Sequence, residues 1–395
     1  MADQQEPYLL QQVEEPKIFD FLIRGELVRG SVERMLLEMG ISTETSVEVE
    51  YVLAVPPPKD SAAHKQDDWL SDLSSFETDG TRFVVASLYD GCITMHKVDG
   101  CEDVTMQSKK KVSDGQVNAI SPCHRKDGVP QGYLAATNDS DVKLLRFSME
   151  HNDCFEHVLV YKGHTDSVEC LSVAPDDSRF VSGGWDNTIC LWESASPANF
   201  FNSASGSKRQ KTRGSSEDVE ASEPLLKLTE HTQCVSTLDW VTANTVFSGS
   251  WDHHVKCWDV ASTKVLASYH SPHPVYAVSA ETGKDTPCVA IGGGDNVVRL
   301  WDTRERQGEQ SASIKLMAAA HEGWITTVRW CPMTDYHFLS GSVDGHIKLW
   351  DIRAKVPLAT VSTHTGKAFC ASWLGKNFVA SGGEDAMLRV AELVI

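Results

Sequence analysis

The stretch GHTDSVECLSVAPDDSRFVSGGWDNTICLWE, residues 163–193, decides the fold. His164 precedes a first predicted strand, Ser182 sits in a second, Asp186 occupies a tight turn and Trp192 ends a third. A buried carboxylate without partners is costly, so these residue types must recur together if they act as one hydrogen-bonded set. They recur as His231, Ser248, Asp252 and Trp258, and again as His321, Ser340, Asp344 and Trp350, with His-to-Asp separations of 22, 21 and 23 in the three sets. His273 with Asp295 and Trp301, and His364 with Ser381 and Asp385, are less complete copies.

Outward from this stretch, seven aspartates close short turns ahead of hydrophobic strands: Asp90, Asp139, Asp186, Asp252, Asp295, Asp344 and Asp385. Their gaps are 49, 47, 66, 43, 49 and 41, and all but one sit near the period of about 40–45 residues of one four-stranded propeller blade. The pattern predicts an all-β chain, a seven-bladed WD40 β-propeller. In WD-repeat proteins the Asp accepts from the His, and the Ser hydroxyl bridges His to Trp. That resemblance makes the recurrent residues a structural relay. The first two blades keep the turn but lack the Trp-Asp ending, and are expected to rely on packing.

The 395 residues, 41% apolar, suffice for a propeller of roughly 300 residues with some sixty in front. No run approaches the roughly 18 apolar residues of a membrane span, and residues 1–17, MADQQEPYLLQQVEEPK, read as a polar, atypical or disordered N-terminus rather than a signal peptide. We therefore expect a soluble, intracellular protein with no membrane partner. Eleven scattered cysteines without a C-x-x-C pair read as small strand-core residues, with no metal site or cofactor of the chain's own. The formal charge of −19 argues against a broad nucleic-acid face and favours protein partners. Direct RNA contact stays open, and Lys109-Lys110-Lys111 reads as a solvated loop between strands.

The long gap holds a segment rich in Ser, Gly and charge, so residues 194–224 are expected to form a disordered loop between blades. Within it Lys208, Arg209, Lys211 and Arg213 form a basic cluster of the kind nuclear import receptors read, with a solubilising loop as the alternative. Trp301-Asp302-Thr303-Arg304 and Trp350-Asp351-Ile352-Arg353 resemble the Trp-Asp-x-Arg endings of substrate receptors of cullin-based ubiquitin ligases. The alternative is that Arg304 and Arg353 pair with nearby acids.

Residues 18–55 differ from the blades. Alternating Phe19, Phe21 and Ile23 predict a strand, Gly25 a turn and Leu27 a further extended residue. Ser31 is placed to cap a short helix carrying Met35, Leu36 and Leu37, and Gly40 to end it. Thr45 to Val52 predict a final strand with Val47, Val49 and Tyr51 on one face. Strand, short helix and strand are the second half of a ubiquitin-like β-grasp, so the propeller (56–395) is expected to follow a partial ubiquitin-like α+β segment.

FDFLIRGELVRGSVERMLLEMGISTETSVEVEYV, then PPPK and Asp67-Asp68-Trp69-Leu70-Ser71, resembles the eukaryotic ribosome-biogenesis family of WD repeat-containing protein 12, from about residue 18 to the end. The resemblance implies a non-catalytic assembly factor for the large (60S) ribosomal subunit, needed for pre-rRNA processing. It implies residence in the nucleus, nucleolus and nucleoplasm. The implied partners are a pescadillo-type protein, a Bop1/Erb1-type WD-repeat scaffold, pre-60S particles and the AAA+ ATPase midasin, which releases the complex. In that family an acidic residue of the ubiquitin-like domain completes a Mg²⁺ site on midasin, a role suited to a hard carboxylate oxygen. By motif this residue is Glu44; otherwise it is a solvated loop glutamate. Only 17 residues precede Ile18, so the first hairpin and longer helix of a β-grasp are expected to be missing, and the front segment to be unstable alone.

The last repeat ends with a third strand at Met387 to Leu393. Its fourth strand is expected from about Lys59 to His64, which would close the ring. With the recurrent His and Asp assigned to the relay, no nucleophile–base pair is left over, and the alternative to ribosome assembly is a cullin-type substrate receptor.

Overall fold

A computed structural model of the chain describes residues 19–393 apart from 25, 29–30, 41, 43–45, 55–57, 101–102, 127, 150–153, 196–220, 282–286, 304–313, 318–319 and 355. It divides into two compact units, Met1–Pro56 and Pro57–Ile395.

In the first unit Phe19–Ile23 pairs antiparallel with Glu26–Leu27 on one side and Glu50–Leu53 on the other. The helix Val32–Glu38 follows Ser31, whose extended backbone marks the N-cap although its side chain makes no capping bond. Gly40, at φ +66°, takes the left-handed conformation that ends the helix. The final strand is shorter than the expected Thr45–Val52, because Phe19–Ile23 supplies register partners only from Leu22↔Glu50 to Phe19↔Leu53. The apolar alternation also resolves differently: Leu22, Ile23 and Leu36 are buried, whereas Phe21 is 53% and Tyr51 69% exposed. Phe19 meets Tyr51 edge-on at 5.4 Å on that open side.

The described residues of the second unit form seven antiparallel blades in chain order. Their first strands are Leu70–Thr78, Val117–Lys126, Val168–Val173, Val235–Trp240, Val275–Ala280, Ile325–Trp330 and Ala368–Leu374. Each neighbours the first strand of the next blade, and the seventh returns to the first. Hydrophobic clusters fill the wedges between blades, with Trp192 stacked on Phe180 and Trp350 on Phe338, both at 5.9 Å. All ten described cysteines are free and nine of them are buried. No helix among the described residues is long and apolar enough to cross a membrane.

Hydrogen bonds between first strands stitch the ring. Ser71 Oγ donates to the Val117 carbonyl at 2.6 Å, Asn118 Nδ2 to Val168 at 2.8 Å, Ser236 Oγ to Val275 at 2.6 Å and Thr326 Oγ1 to Ala368 at 2.6 Å. Each side chain belongs to the second residue of its strand and satisfies the carbonyl that opens the next blade. The last blade takes its fourth strand from Lys59–Lys65, antiparallel to Met387–Glu392, so the two ends of the propeller unit share one sheet.

Two expectations about loops are corrected. The long insertion is not between blades: it joins the third strand of the third blade, Ile189–Glu193, to that blade's fourth strand, Leu226–Leu228. On the way back Ala221–Ser222 adds a parallel strand to the edge of the second blade, so the end of the expected loop is ordered by edge pairing. Lys109-Lys110-Lys111 is likewise no loop. It closes the strand Asp103–Lys111, the fourth of the first blade, where alternate side chains reach opposite faces.

Candidate functional site

The sequence marks out three kinds of residue, and the structure treats them differently. The relay residues come together in three blades. His164 Nδ1 lies 2.9 Å from Asp186, its Nε2 2.7 Å from Ser182 Oγ, and Trp192 Nε1 donates to the same oxygen at 2.8 Å. The corresponding distances are 2.8, 2.7 and 2.8 Å for His231, Asp252, Ser248 and Trp258, and 2.9, 2.7 and 2.7 Å for His321, Asp344, Ser340 and Trp350. An indole N–H can only donate, so the serine oxygen accepts from tryptophan. With a neutral histidine, as burial favours for His321, the arrangement that leaves every proton with one acceptor runs Trp to Ser, Ser to His Nε2, and His Nδ1–H to Asp. At His164 burial is outweighed by the Asp186 hydrogen bond, which raises the imidazole to about 9, so there both ring nitrogens donate, to Asp186 and to Ser182.

Each aspartate also caps its own turn. Asp186 Oδ1 accepts from the Thr188 amide, Asp252 from His254 and Asp344 from His346, at 2.9 to 3.1 Å. Burial pushes the Asp186 carboxyl up, but the His164 hydrogen bond and charge outweigh it and hold the group at about 2. Asp252, Asp344 and Asp385 are lowered by the same balance of burial against histidine and backbone donors.

The incomplete copies diverge. His364 keeps Asp385 and Ser381, both at 2.9 Å, and Ser381 turns to Ser362 where a tryptophan is missing. His273 stays half-exposed, 3.8 Å from Asp295, and does not join a relay. The reason is local: Ile291 stands where the third, fourth, sixth and seventh blades carry serine, so no hydroxyl can bridge. Arg299 grips Asp295 instead, through bonds of 2.9 and 2.6 Å.

The first two blades, expected to rely on packing, use the same substitution. Lys109 Nζ bonds Asp90 at 2.9 Å and Lys143 Nζ bonds Asp139 at 3.0 Å. Packing contributes as well, through Phe76, Phe83, Tyr133, Phe147 and Phe155. Every turn aspartate therefore has a His, Lys or Arg, a rule the histidine pattern alone does not reveal.

The second kind, the proposed recognition residues Glu44, Lys208, Arg209, Lys211, Arg213 and Arg304, together with residues 1–17, lies outside the described residues. The third is Arg353. Its guanidinium grips the buried Asp351 through Nε at 3.0 Å and Nη2 at 2.6 Å, and lies over Tyr336 at 4.3 Å. It is engaged as a local clamp.

One surface feature has no counterpart in the repeat pattern. The residue just before the turn aspartate sits beside the start of a first strand, as Trp185 N donates to Ser167 O and Trp251 N to Cys234 O. At the mouth of the ring this brings Trp185 to 4.8 Å from Trp251, Trp251 to 5.8 Å from Tyr276, and Tyr276 to 6.0 Å from Trp324, centroid to centroid. Two large aromatics in Gly-Trp-Asp and Ser-Trp-Asp turns were the available signal, since such turns otherwise favour small or polar residues. Below the mouth, Arg329 of the sixth blade reaches Asp72 of the first at 3.3 Å.

The profile of the WD domain, G-beta repeat, matches residues 155–193, 222–259 and 313–351. The ribosome biogenesis protein WDR12 homolog of Chlamydomonas reinhardtii is 34% identical over 400 residues, 95% of this chain and 88% of the relative. The homologs of that name from Arabidopsis thaliana and Nematostella vectensis are 32% and 31% identical, each over 94% of this chain and covering 84% and 86% of the relative.

Proposed function

Because this chain belongs to the WDR12 family of ribosome biogenesis proteins, we propose that it is a non-catalytic scaffold in assembly of the large (60S) ribosomal subunit, acting in pre-rRNA processing and pre-60S maturation. The observation that carries this reading is similarity over nearly the whole chain, front segment included, to proteins named for ribosome biogenesis. The relay supports the non-catalytic part: its histidines and aspartates, the residue types that suggest acid–base chemistry, are committed to holding strands together.

In this reading the propeller docks on a Bop1/Erb1-type WD-repeat scaffold together with a pescadillo-type protein. The front unit is offered to midasin through Glu44, which would complete a Mg²⁺ site there. The basic cluster Lys208, Arg209, Lys211 and Arg213 directs the protein to the nucleus, nucleolus and nucleoplasm. The cullin-receptor alternative loses ground to the engagement of Arg353 with Asp351.

Affinity capture of the tagged full chain tests the assignment. Recovery of pre-60S particles and a pescadillo-type protein is expected, and recovery of a cullin adaptor in their place would overturn it. Substitution of Glu44 by Gln should abolish capture of midasin while leaving the Bop1/Erb1-type partner bound; retained midasin would remove Glu44 from that role.

A further inference from the structure

The second residue of each first strand stitches the ring in blades one, two, four and six, through Ser71, Asn118, Ser236 and Thr326. In the third, fifth and seventh blades that position holds Glu169, Tyr276 and Phe369. In the third blade Cys170 Sγ takes over the stitch, donating to Val235 O at 3.3 Å, and in the seventh Cys370 Sγ lies 4.0 Å from Leu70 O. These positions depart from the repeat, and the residues freed there gather at one mouth of the ring. Departures of this kind, where local rules are broken without a gain in stability, are where functional sites are expected.

Tyr276 belongs to the unbroken arc Trp185, Trp251, Tyr276, Trp324, which spans the third to sixth blades. Trp185 is 42% and Trp324 55% exposed. Single exposed aromatics need no explanation, but a run of four in mutual contact is an interaction surface. Phe369 packs at 6.1 Å from both Trp69 and Tyr89 on the far side of the same mouth.

Glu169 supplies the charge. Its carboxylate accepts from Trp185 Nε1 at 2.7 Å, Ser167 Oγ at 3.0 Å and Asn118 Nδ2 at 3.2 Å. All three donors are neutral, and among the described residues no cation pairs with it. Burial raises its pKa in spite of the Ser167 and Trp185 hydrogen bonds, with Asp166 adding to the rise. A half-buried carboxylate without a counter-charge, bonded to the indole N–H of Trp185 at one end of the aromatic arc, is complementary to a planar cation. A guanidinium fits better than an ammonium, since it stacks on aromatic rings and presents paired donors to a carboxylate.

We propose that the mouth formed by Trp185, Trp251, Tyr276 and Trp324 receives an arginine side chain from an extended segment of a protein partner, with Glu169 as its counter-ion. This site is independent of which particle or complex the chain serves, so it stands or falls separately from the ribosomal assignment.

The test uses the full chain labelled with ¹⁵N at tryptophan, titrated with the peptide Ac-Gly-Ser-Arg-Gly-Ser-amide and with its citrulline and lysine counterparts. The arginine peptide should shift the indole signals of Trp185, Trp251 and Trp324 saturably, and the citrulline and lysine peptides should bind at least about tenfold more weakly. Glu169→Gln, which keeps an oxygen for the Trp185 donor, and Trp324→Ala, at an exposed position, should each weaken binding about tenfold while the melting curve stays in place. The proposal is overturned by the absence of a saturable shift up to about 10 mM peptide, by equal binding of the citrulline or lysine peptide, or by unchanged binding in both variants.

Discussion

Ala62 pairs in register with Val390, and both are buried in the core shared by the last and first blades. The pairing lets the segment ahead of the first blade finish the seventh, so Met387–Glu392 is paired on both sides and the two ends of the propeller unit are tied in one sheet. Deleting residues 59–65 removes that strand and opens the seam. The melting temperature should fall by about 10 °C or more, as expected for losing several kcal/mol of packing in a domain of this size. A melt unchanged by the deletion would show that the seam is held elsewhere.

Histidines that look alike in sequence should differ in worth. His231→Ala removes a buried side chain bonded to Asp252 and Ser248 and should cost about 2–3 kcal/mol. His273→Ala removes a half-exposed ring without a serine partner and should stay within about 0.5 kcal/mol of the parent. Denaturant midpoints for the two variants decide the matter; equal losses would contradict the geometry.

The inter-blade stitches predict a cost for a nearly isosteric change. Thr326→Val keeps the volume but leaves the Ala368 carbonyl without its donor, and should destabilise by about 1–2 kcal/mol. Urea unfolding monitored by tryptophan fluorescence measures it, and a neutral result would mean water replaces the hydroxyl.

Acid should loosen the blades through the turn aspartates. Asp186 titrates at about 2 in the folded chain, below the ordinary carboxylate value of about 4, so the unfolded chain binds protons first as pH falls. The stability this group contributes is therefore complete above about pH 4 and is lost as pH falls toward 2. Asp252, Asp344 and Asp385 act in the same sense. The melting temperature of the parent should decline across this window, and Asp186→Asn should show a lower plateau at neutral pH with a shallower decline. Parallel curves for parent and variant would exclude Asp186 from the acid response.

The residue after the turn aspartate is left-handed in six blades, at Gly91, Ser140, Asn187, His253, Gly345 and Ala386. Ala386, at φ +55°, carries the strain a side chain meets there. Ala386→Gly should stabilise by about 0.5 kcal/mol, the relief of strain exceeding the added freedom of the unfolded chain. Gly345→Ala should do the reverse and by more, about 2 kcal/mol, since its Cβ would stand 2.5 Å from the His364 carbonyl oxygen. Calorimetric melts of the pair provide the check.

The relay was legible because it is built from rare residue types at fixed separations within one blade, so His164, Ser182, Asp186 and Trp192 find each other through short turns. The lysines and the arginine that replace histidine at Asp90, Asp139 and Asp295 were not legible. Lys109 reaches Asp90 from a strand 19 positions away, and a run of three lysines on an exposed edge looks like solvated charge. The front strand forms at Phe19–Ile23 as the sequence predicts, but its buried side was not legible for a related reason. Burial does not follow the apolar alternation, because what covers the sheet decides it: Leu22 and Ile23 are both buried, while Phe21 and Tyr51 lie exposed.

By itself the sequence determined the blade: alternating strands, a turn aspartate with its partners, and their repetition seven times, all of which follow from interactions spanning fewer than two dozen residues. Only the tertiary structure decided where the insertion enters the third blade, how first strands are tied to the next, and that aromatics from four separate blades form one arc whose Trp185 end bonds Glu169. Most of those relationships join residues of different blades, and ring closure brings them together through backbone geometry that the pattern within one blade does not record.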